Sequence, residues 1–234
     1  MTESTKRALI IGASRGLGLG LVKEFVSRGW QVTATARDLS RATSLNEFAK
    51  AEPSAVVLEA VDIDDGEQVS TLARRLDTQL FDLVFISAGV GGPDHQSVDR
   101  VTAEELGRLF YTNAVAPIRL AGQFASRVKD GMGVLAIMSS RAGSVAEDSS
   151  GRRVLYRASK AALNSLTRSF VAGIKGRPIT VLSMHPGWVR TDMGGAEAPL
   201  DVATSVAGIA DVIEKRAGTK IHAFVDYQGA ELPW

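Results

Sequence analysis

Seven short runs of aliphatic and β-branched residues punctuate the chain, at Ala8–Ile11, Val32–Ala36, Ala55–Leu58, Leu83–Ser87, Val134–Met138, Ile179–Met184 and Ile221–Val225. Between them lie amphipathic stretches of helical length. Strands that are apolar on both faces and alternate with helices call for a parallel sheet covered on each side. The expected fold class is therefore α/β, a doubly wound parallel sheet of about seven strands with helices on both faces. With 234 residues, 45% of them hydrophobic, the chain can bury a full core. It contains no internal repeat, low-complexity tract or long polar linker, so one domain spanning 1–234 is expected.

Local signals mark several helix ends. Thr102 with Glu105 three residues on fits a capping box, and Pro199–Asp201 opens the amphipathic run Val202–Arg216. Gly29 and Gly218 fit helix termini. The longer irregular stretches, Val90–Val101, Arg141–Val154 and Thr191–Leu200, each follow a strand. Ligands of open α/β sheets bind outside the carboxyl ends of the strands, so these three loops are expected to frame the site.

Composition narrows the chemistry. Lys plus Arg number 27 against 26 for Asp plus Glu, which leaves no excess charge to drive binding to nucleic acid or an anionic membrane. The absence of cysteine removes disulfides, thiolate metal sites and thiol nucleophiles. The N-terminal segment enters the first strand without an apolar targeting region, and no apolar run approaches the roughly 18 residues of a membrane span. A cytoplasmic protein is expected.

The first strand leads directly into Gly12-Ala13-Ser14-Arg15-Gly16-Leu17-Gly18 and then a helical run. Glycine at these points permits a tight turn, close approach of a pyrophosphate and close helix packing, while the helix start presents free N–H groups to an anion. Further on, Tyr156 and Lys160 stand at i and i+4 on one helix, which places a phenol and an ammonium on the same face. A cation beside a phenol favours its ionised form, as acid/base work near neutral pH requires. By itself this pair also fits an ordinary amphipathic helix with a snorkelling lysine. The second strand ends in Ala36-Arg37, without the carboxylate that selects a free ribose 2′-hydroxyl. Arg37 can fork onto a 2′-phosphate, or it can pair with the neighbouring Asp38.

The Gly-x-x-x-Gly-x-Gly spacing, followed in order by Val61-Asp62-Ile63, Ser87-Ala88-Gly89, Asn113, Ser139-Ser140, Tyr156-x-x-x-Lys160 and Pro186-Gly187-x-Val189-x-Thr191, resembles the short-chain dehydrogenase/reductase family over nearly the whole chain. The resemblance implies a Rossmann-type oxidoreductase that exchanges a hydride between NADP(H) and a small carbonyl or alcohol substrate. It implies that Asn113, Ser140, Tyr156 and Lys160 are catalytic, with Ser139 the alternative serine. It implies that the cofactor is held by Gly12, Ser14, Arg15, Gly16, Leu17, Gly18 and Arg37, by Asp62, Ile63, Ala88 and Gly89, by Asn113, Tyr156 and Lys160, and by Pro186, Gly187, Val189 and Thr191. For Asp62 the alternative is an acid at a helix start, where Asp64 or Asp65 fits the cap. Ile11 and Ser87 depart from the family's usual Thr and Asn, which affects hydrogen bonds of the turn and not the chemistry. The interval from Ser140 to Tyr156 is longer than usual, so an insertion over the pocket is expected.

Within the family, Ser139–Ser144, His185–Met193 and the ending Gln228–Trp234 resemble the C-factor and sniffer-like carbonyl reductase branch. That branch carries a second implication, a cofactor-binding signalling protein with little catalytic duty. With three histidines and no carboxylate cluster, His185 is expected to be structural and no metal is expected. The family commonly dimerises through helices that here correspond to Ala103–Val128 and Tyr156–Ile174, with Phe110, Val115, Leu163, Leu166 and Phe170 as candidate apolar contacts. A homodimer is accordingly a possible assembly.

Overall fold

The computed structural model describes residues 5–147, 151–174 and 176–234. The strands are β1 (Arg7–Ile11), β2 (Gln31–Ala36), β3 (Val56–Ala60), β4 (Leu83–Ile86), β5 (Val134–Met138), β6 (Thr180–His185) and β7 (His222–Asp226). They form one sheet in the order β3-β2-β1-β4-β5-β6-β7, and every pairing is parallel. Each predicted run forms a strand, with ends shifted by a residue or two. β3 continues to Ala60, two residues past the expected run, because Glu59 and Ala60 stay in register with Thr35 and Ala36.

Among the described residues, seven α-helices connect the strands: α1 (Gly16–Ser27), α2 (Thr43–Ala51), α3 (Gly66–Arg75), α4 (Ala103–Phe110), α5 (Ala116–Phe124), α6 (Val154–Gly173) and α7 (Val202–Arg216). The sheet is covered on both faces. Along β1, Ala8 and Ile10 join one core with Leu21, Phe25 and Ile209 of α1 and α7. Leu9 and Ile11 join the other, with Leu72, Leu120, Phe124 and Leu163 of α3, α5 and α6. This two-residue alternation, with neither set exposed, is the reason the strands read as unbroken apolar runs.

The helix signals act as anticipated. Thr102 and Glu105 form a reciprocal capping box on α4, and Asp201 accepts from the Thr204 N–H at the start of α7. After α1, Gly29 N–H donates to the Val26 carbonyl and Trp30 N–H to the Phe25 carbonyl, with the Phe25 and Trp30 rings 4.8 Å apart. That is a Schellman motif with its apolar contact. At the start of α3, Asp65 is the cap and accepts from Glu67 and Gln68.

Two expectations require correction. Ala103–Val128 is not one regular helix: a π-helical turn at Tyr111–Val115 joins α4 to α5, and a 3-10 turn at Ala125–Arg127 ends the run. The wider turn carries Thr112, Asn113 and Ala114 inward together, all buried. The apolar contacts proposed for a dimer are also fewer. Leu163 is 1% exposed and belongs to the core of its own chain, and Phe170 packs against that core. Val115, Leu166 and the neighbouring Tyr111 remain exposed. Among the described residues no helix is long and apolar enough to cross a membrane.

Candidate active site

The order of the sheet reverses direction between β1 and β4, and the segments that leave these two strands open a crevice at their carboxyl ends. A cleft of about 750 Å³ lies there. Every cofactor and catalytic residue expected from the sequence lines it, with the single exception of Asn113.

The turn after β1 is forced by its neighbours. Gly12 has φ +87°, and a Cβ on it would lie 2.8 Å from Ala88, in the segment following β4. A Cβ on Gly18 would lie 2.1 Å from the Gly12 carbonyl oxygen. A side chain at Gly12 would push the two crossovers apart, and one at Gly18 would force the helix start away from its own turn. Gly12 N–H donates to Thr35 Oγ1 at 3.2 Å, so a hydroxyl from β2 serves the turn where Ile11 supplies none. α1 starts without a capping side chain and with no acidic residue in its first turn, which leaves its amides and positive dipole end facing the cleft.

The two arginines of this end behave differently. Asp38 does not pair with Arg37. It caps a 3-10 turn (Leu39–Arg41), accepting from Ser40 N at 2.9 Å and Ser40 Oγ at 2.6 Å. These bonds, Ser40's hydroxyl first, hold its carboxyl below the usual carboxylate range. Arg37 is exposed on the cleft with no ion pair among the described residues. Arg15, expected to turn toward the same anion, instead bridges the cleft to Asp192 at 2.6 Å. Both partners of that bridge are more than two-thirds exposed, so it contributes little and exchanges readily.

After β3, Asp62 and Ile63 line the cleft. Asp62 Oδ1 accepts from Asp64 N at 3.1 Å, and the backbone N–H of Asp62 donates to Gln68. The segment is pinned from across the cleft by Thr112, whose hydroxyl donates to Asp64 at 2.7 Å, and by Arg119, which donates to the Ile63 carbonyl at 2.8 Å.

Tyr156 and Lys160, 7% and 4% exposed, project from the first turns of α6. Ser140 at the end of β5 borders the same cleft, and its Oγ accepts from Ala142 N at 3.1 Å. Ser139 is turned away and donates to Asn164 at 2.6 Å, which separates the two serines. Burial pushes the Tyr156 phenol above its ordinary value of 10, opposed by the positive charge of Arg153 and by the Ser140 hydroxyl. Lys160 is pushed down to about 8 by burial. Its Nζ donates to the Met138 carbonyl at 3.0 Å and stands 5.9 Å from the centre of the Tyr156 ring. The nearer cation is Arg153, whose guanidinium lies 4.2 Å from that ring centre. Sequence reasoning missed Arg153, which has no motif spacing to mark it.

Asn113 sits behind the wall, fully buried. Its Oδ1 accepts from Val90 N at 2.8 Å, and its Nδ2 donates to the Val90 carbonyl at 2.8 Å and to Ser159 Oγ at 3.0 Å. Ser159 in turn donates to the Tyr156 carbonyl at 2.7 Å. The π turn therefore ties the segment after β4 to the first turn of α6. A Cβ on Gly89 would stand 3.2 Å from Asn113 Oδ1 and 3.7 Å from Lys160 Nζ, so all three elements meet there. A second clasp, also missed from sequence, is Gln96: it accepts from the Tyr156 N–H at 3.0 Å and donates to the Gly91 and Pro93 carbonyls.

Past β6, Pro186, Gly187, Val189 and Thr191 line the side of the cleft opposite α1, and Thr191 approaches Gly16. Thr191 Oγ1 accepts from Gly194 N at 3.1 Å, and Trp188 Nε1 donates to the Gly194 carbonyl, which folds this segment back on itself. His185 lines the cleft with a pKa lowered to about 4 by burial and by Arg141, against the opposite pull of Asp226. It is neutral at pH 7. The expected insertion, Arg141–Leu155, begins with a 3-10 turn (Arg141–Gly143), and Asp148–Ser150 lie outside the described residues.

Known proteins share this fold. A carbonyl reductase from Pseudomonas aeruginosa PAO1 in complex with NADP is 42% identical, superposes with a TM-score of 0.92 and is matched over 99% of this chain and 100% of its own. The carbonyl reductase Sniffer of D. melanogaster is 33% identical with a TM-score of 0.88, over 98% of this chain and 100% of its own. The C-signal protein of Myxococcus xanthus is 36% identical over 163 residues, 69% of this chain and 98% of that protein. The family described as short chain dehydrogenase matches residues 6–200, from β1 through the segment that closes the cleft. The seven-stranded parallel sheet agrees with the fold of these structures, and the chain belongs to the short-chain dehydrogenase/reductase family.

Proposed function

We propose that this protein reduces a carbonyl compound with NADPH, or oxidises the corresponding alcohol with NADP+, using Tyr156 as proton donor and acceptor. The observation that carries this reading is the buried Tyr156 phenol, which shares with Ser140 and Lys160 the cleft that also holds the uncapped start of α1. The donor set suits a dinucleotide with a third phosphate. The amides from Ser14 to Gly18 face a pyrophosphate, while Arg37, with no carboxylate partner among the described residues, faces the 2′-phosphate. Asp62 and Ile63 border the adenine, Ala88 and Gly89 a ribose, and Pro186, Gly187, Val189 and Thr191 the nicotinamide end.

When bound, NADPH supplies a hydride to the carbonyl carbon. The remaining proton comes from Tyr156, which gives it to the carbonyl oxygen as negative charge develops there. Ser140 donates a hydrogen bond to that oxygen, and Lys160 places a positive charge beside the ribose and the phenol. Asn113 acts through others: by holding Val90 and Ser159 it fixes the distance between the cofactor wall and α6. The test is NADPH consumption against quinones, aldehydes, ketones and steroids; no turnover with any of them would favour the second reading, a signalling protein with little catalytic duty, for which the likeness to C-signal speaks.

Cofactor choice gives a separate prediction. Loss of a charge-assisted hydrogen bond is worth about 1.5 to 3 kcal/mol, so Arg37→Ala weakens NADPH roughly tenfold or more and leaves NADH nearly unchanged. Dissociation constants for both nucleotides in both proteins decide it. Equal losses would mean that Arg37 does not touch the 2′-phosphate. Arg15 is expected to contribute less, since it must first leave Asp192.

A further inference from the structure

The substrate end of the cleft has a charge pattern that the proposed reaction does not require. The carboxylates lining the cleft are Asp62 and Asp64, after β3, and Asp192, joined to Arg15 beside the glycine turn. All three belong to the nucleotide side. Around Tyr156 the lining is basic, with Arg153 and Lys160 the closest charges to its ring. Arg153 has no carboxylate within ion-pair distance among the described residues.

Its placement is specific. The guanidinium lies 4.2 Å from the Tyr156 ring centre, which is stacking distance and leaves the N–H edge of the fork available. A Cβ on Gly91 would lie 3.7 Å from Arg153 Nη2 and 3.9 Å from Met193, so these groups surround one point of the wall. Gln96 anchors that wall by donating to the Gly91 carbonyl while it accepts from Tyr156 N–H. Arg153 itself has φ 54°, a left-handed conformation that local preference for a side chain with Cβ opposes. It is the residue before α6, whose first turn holds no acidic side chain and whose Tyr156 N–H is taken by Gln96 Oε1.

An arginine with an open fork beside the proton donor, with Lys160 the other close charge and no carboxylate there among the described residues, recognises an oxyanion in preference to a neutral group. We infer that the carbonyl substrate of this protein carries a carboxylate, held by Arg153 next to Tyr156. The inference rests on the carbonyl-reductase reading of the site and adds the class of substrate to it. The carboxylate binds in two hydrogen bonds to the guanidinium edge, and the carbonyl oxygen then falls toward Tyr156 and Ser140.

The test compares phenylglyoxylate, 3-formylbenzoate and 4-formylbenzoate with their methyl esters, by NADPH oxidation. For at least one pair the acid exceeds its ester in kcat/KM by tenfold or more. Arg153→Gln removes at least tenfold of that ratio, Arg153→Lys retains part of it, and added salt lowers it in the wild type. Esters preferred in every pair, or a ratio unmoved by Arg153→Gln, overturns the inference. If no carbonyl is reduced at all, the reductase reading fails, and the anion site is decided by calorimetric titration of benzoate and benzamide into the protein with and without NADPH. Benzoate binding at least tenfold tighter than benzamide, and lost in Arg153→Gln, supports the site; equal binding of the two overturns it.

Discussion

Replacing Tyr156 by phenylalanine lowers kcat for carbonyl reduction by at least about a hundredfold, the lower range for loss of a general acid. The ring remains, and with it the packing of α6 and the stacked Arg153. Only the hydroxyl is lost, so the fold and NADPH affinity are retained while the developing alkoxide has no donor beyond Ser140. Steady-state kinetics, together with a nucleotide titration of the same preparation, separates the two effects. Turnover within a few-fold of the wild type would mean that another group delivers the proton. The environment of the phenol explains why it needs help: burial alone makes it a weaker acid, and Arg153 and Ser140 oppose that shift. A residue in this position works best when its pKa lies near the operating pH, and the positive charge of Arg153 acts in that direction.

Lys160→Met abolishes most of the activity and yet raises the melting temperature at pH 7. The ammonium is 4% exposed with one backbone carbonyl as its hydrogen-bond partner, and burial lowers its pKa from 10.5 to about 8. That displacement corresponds to roughly 3 kcal/mol of stability withheld at pH 7. Methionine fills a similar volume without a charge. The pH dependence follows from proton binding. Between about 8 and 10.5 the folded protein holds fewer protons at Lys160 than the unfolded chain, so the wild type gains stability relative to the variant as pH rises through that window. Melting temperatures of both proteins at pH 7 and near pH 10 therefore converge. A variant less stable than the wild type at pH 7 would show that the bond to Met138 outweighs the cost of burial.

Activity and stability oppose each other at this residue for a structural reason. Lys160 is carried into the interior by the same helix turn that presents Tyr156 to the cleft. A charge placed there is costly without cofactor and substrate to face it.

By itself the sequence determined what depends on neighbours along the chain. Unbroken apolar runs of strand length set the seven strands, the glycine turn placed the dinucleotide crevice after β1, and Thr102 and Asp201 began their helices as their spacing required. The i, i+4 spacing put Tyr156 and Lys160 on one face without reference to the rest of the fold. Contacts between distant segments could not be read in this way. Asp38 was free to be a partner of Arg37 or a cap, and the cap won because a 3-10 turn brings Ser40 onto it. Arg15 meets Asp192 from 177 residues away, and Gln96 meets Tyr156 from 60. Asn113 carries a family position, but only the π turn decided that its side chain would face Val90 and Ser159 behind the wall. Arg153 lies on the Tyr156 ring because its backbone is left-handed just before α6, a conformation that tertiary packing imposes and that local preference for arginine opposes.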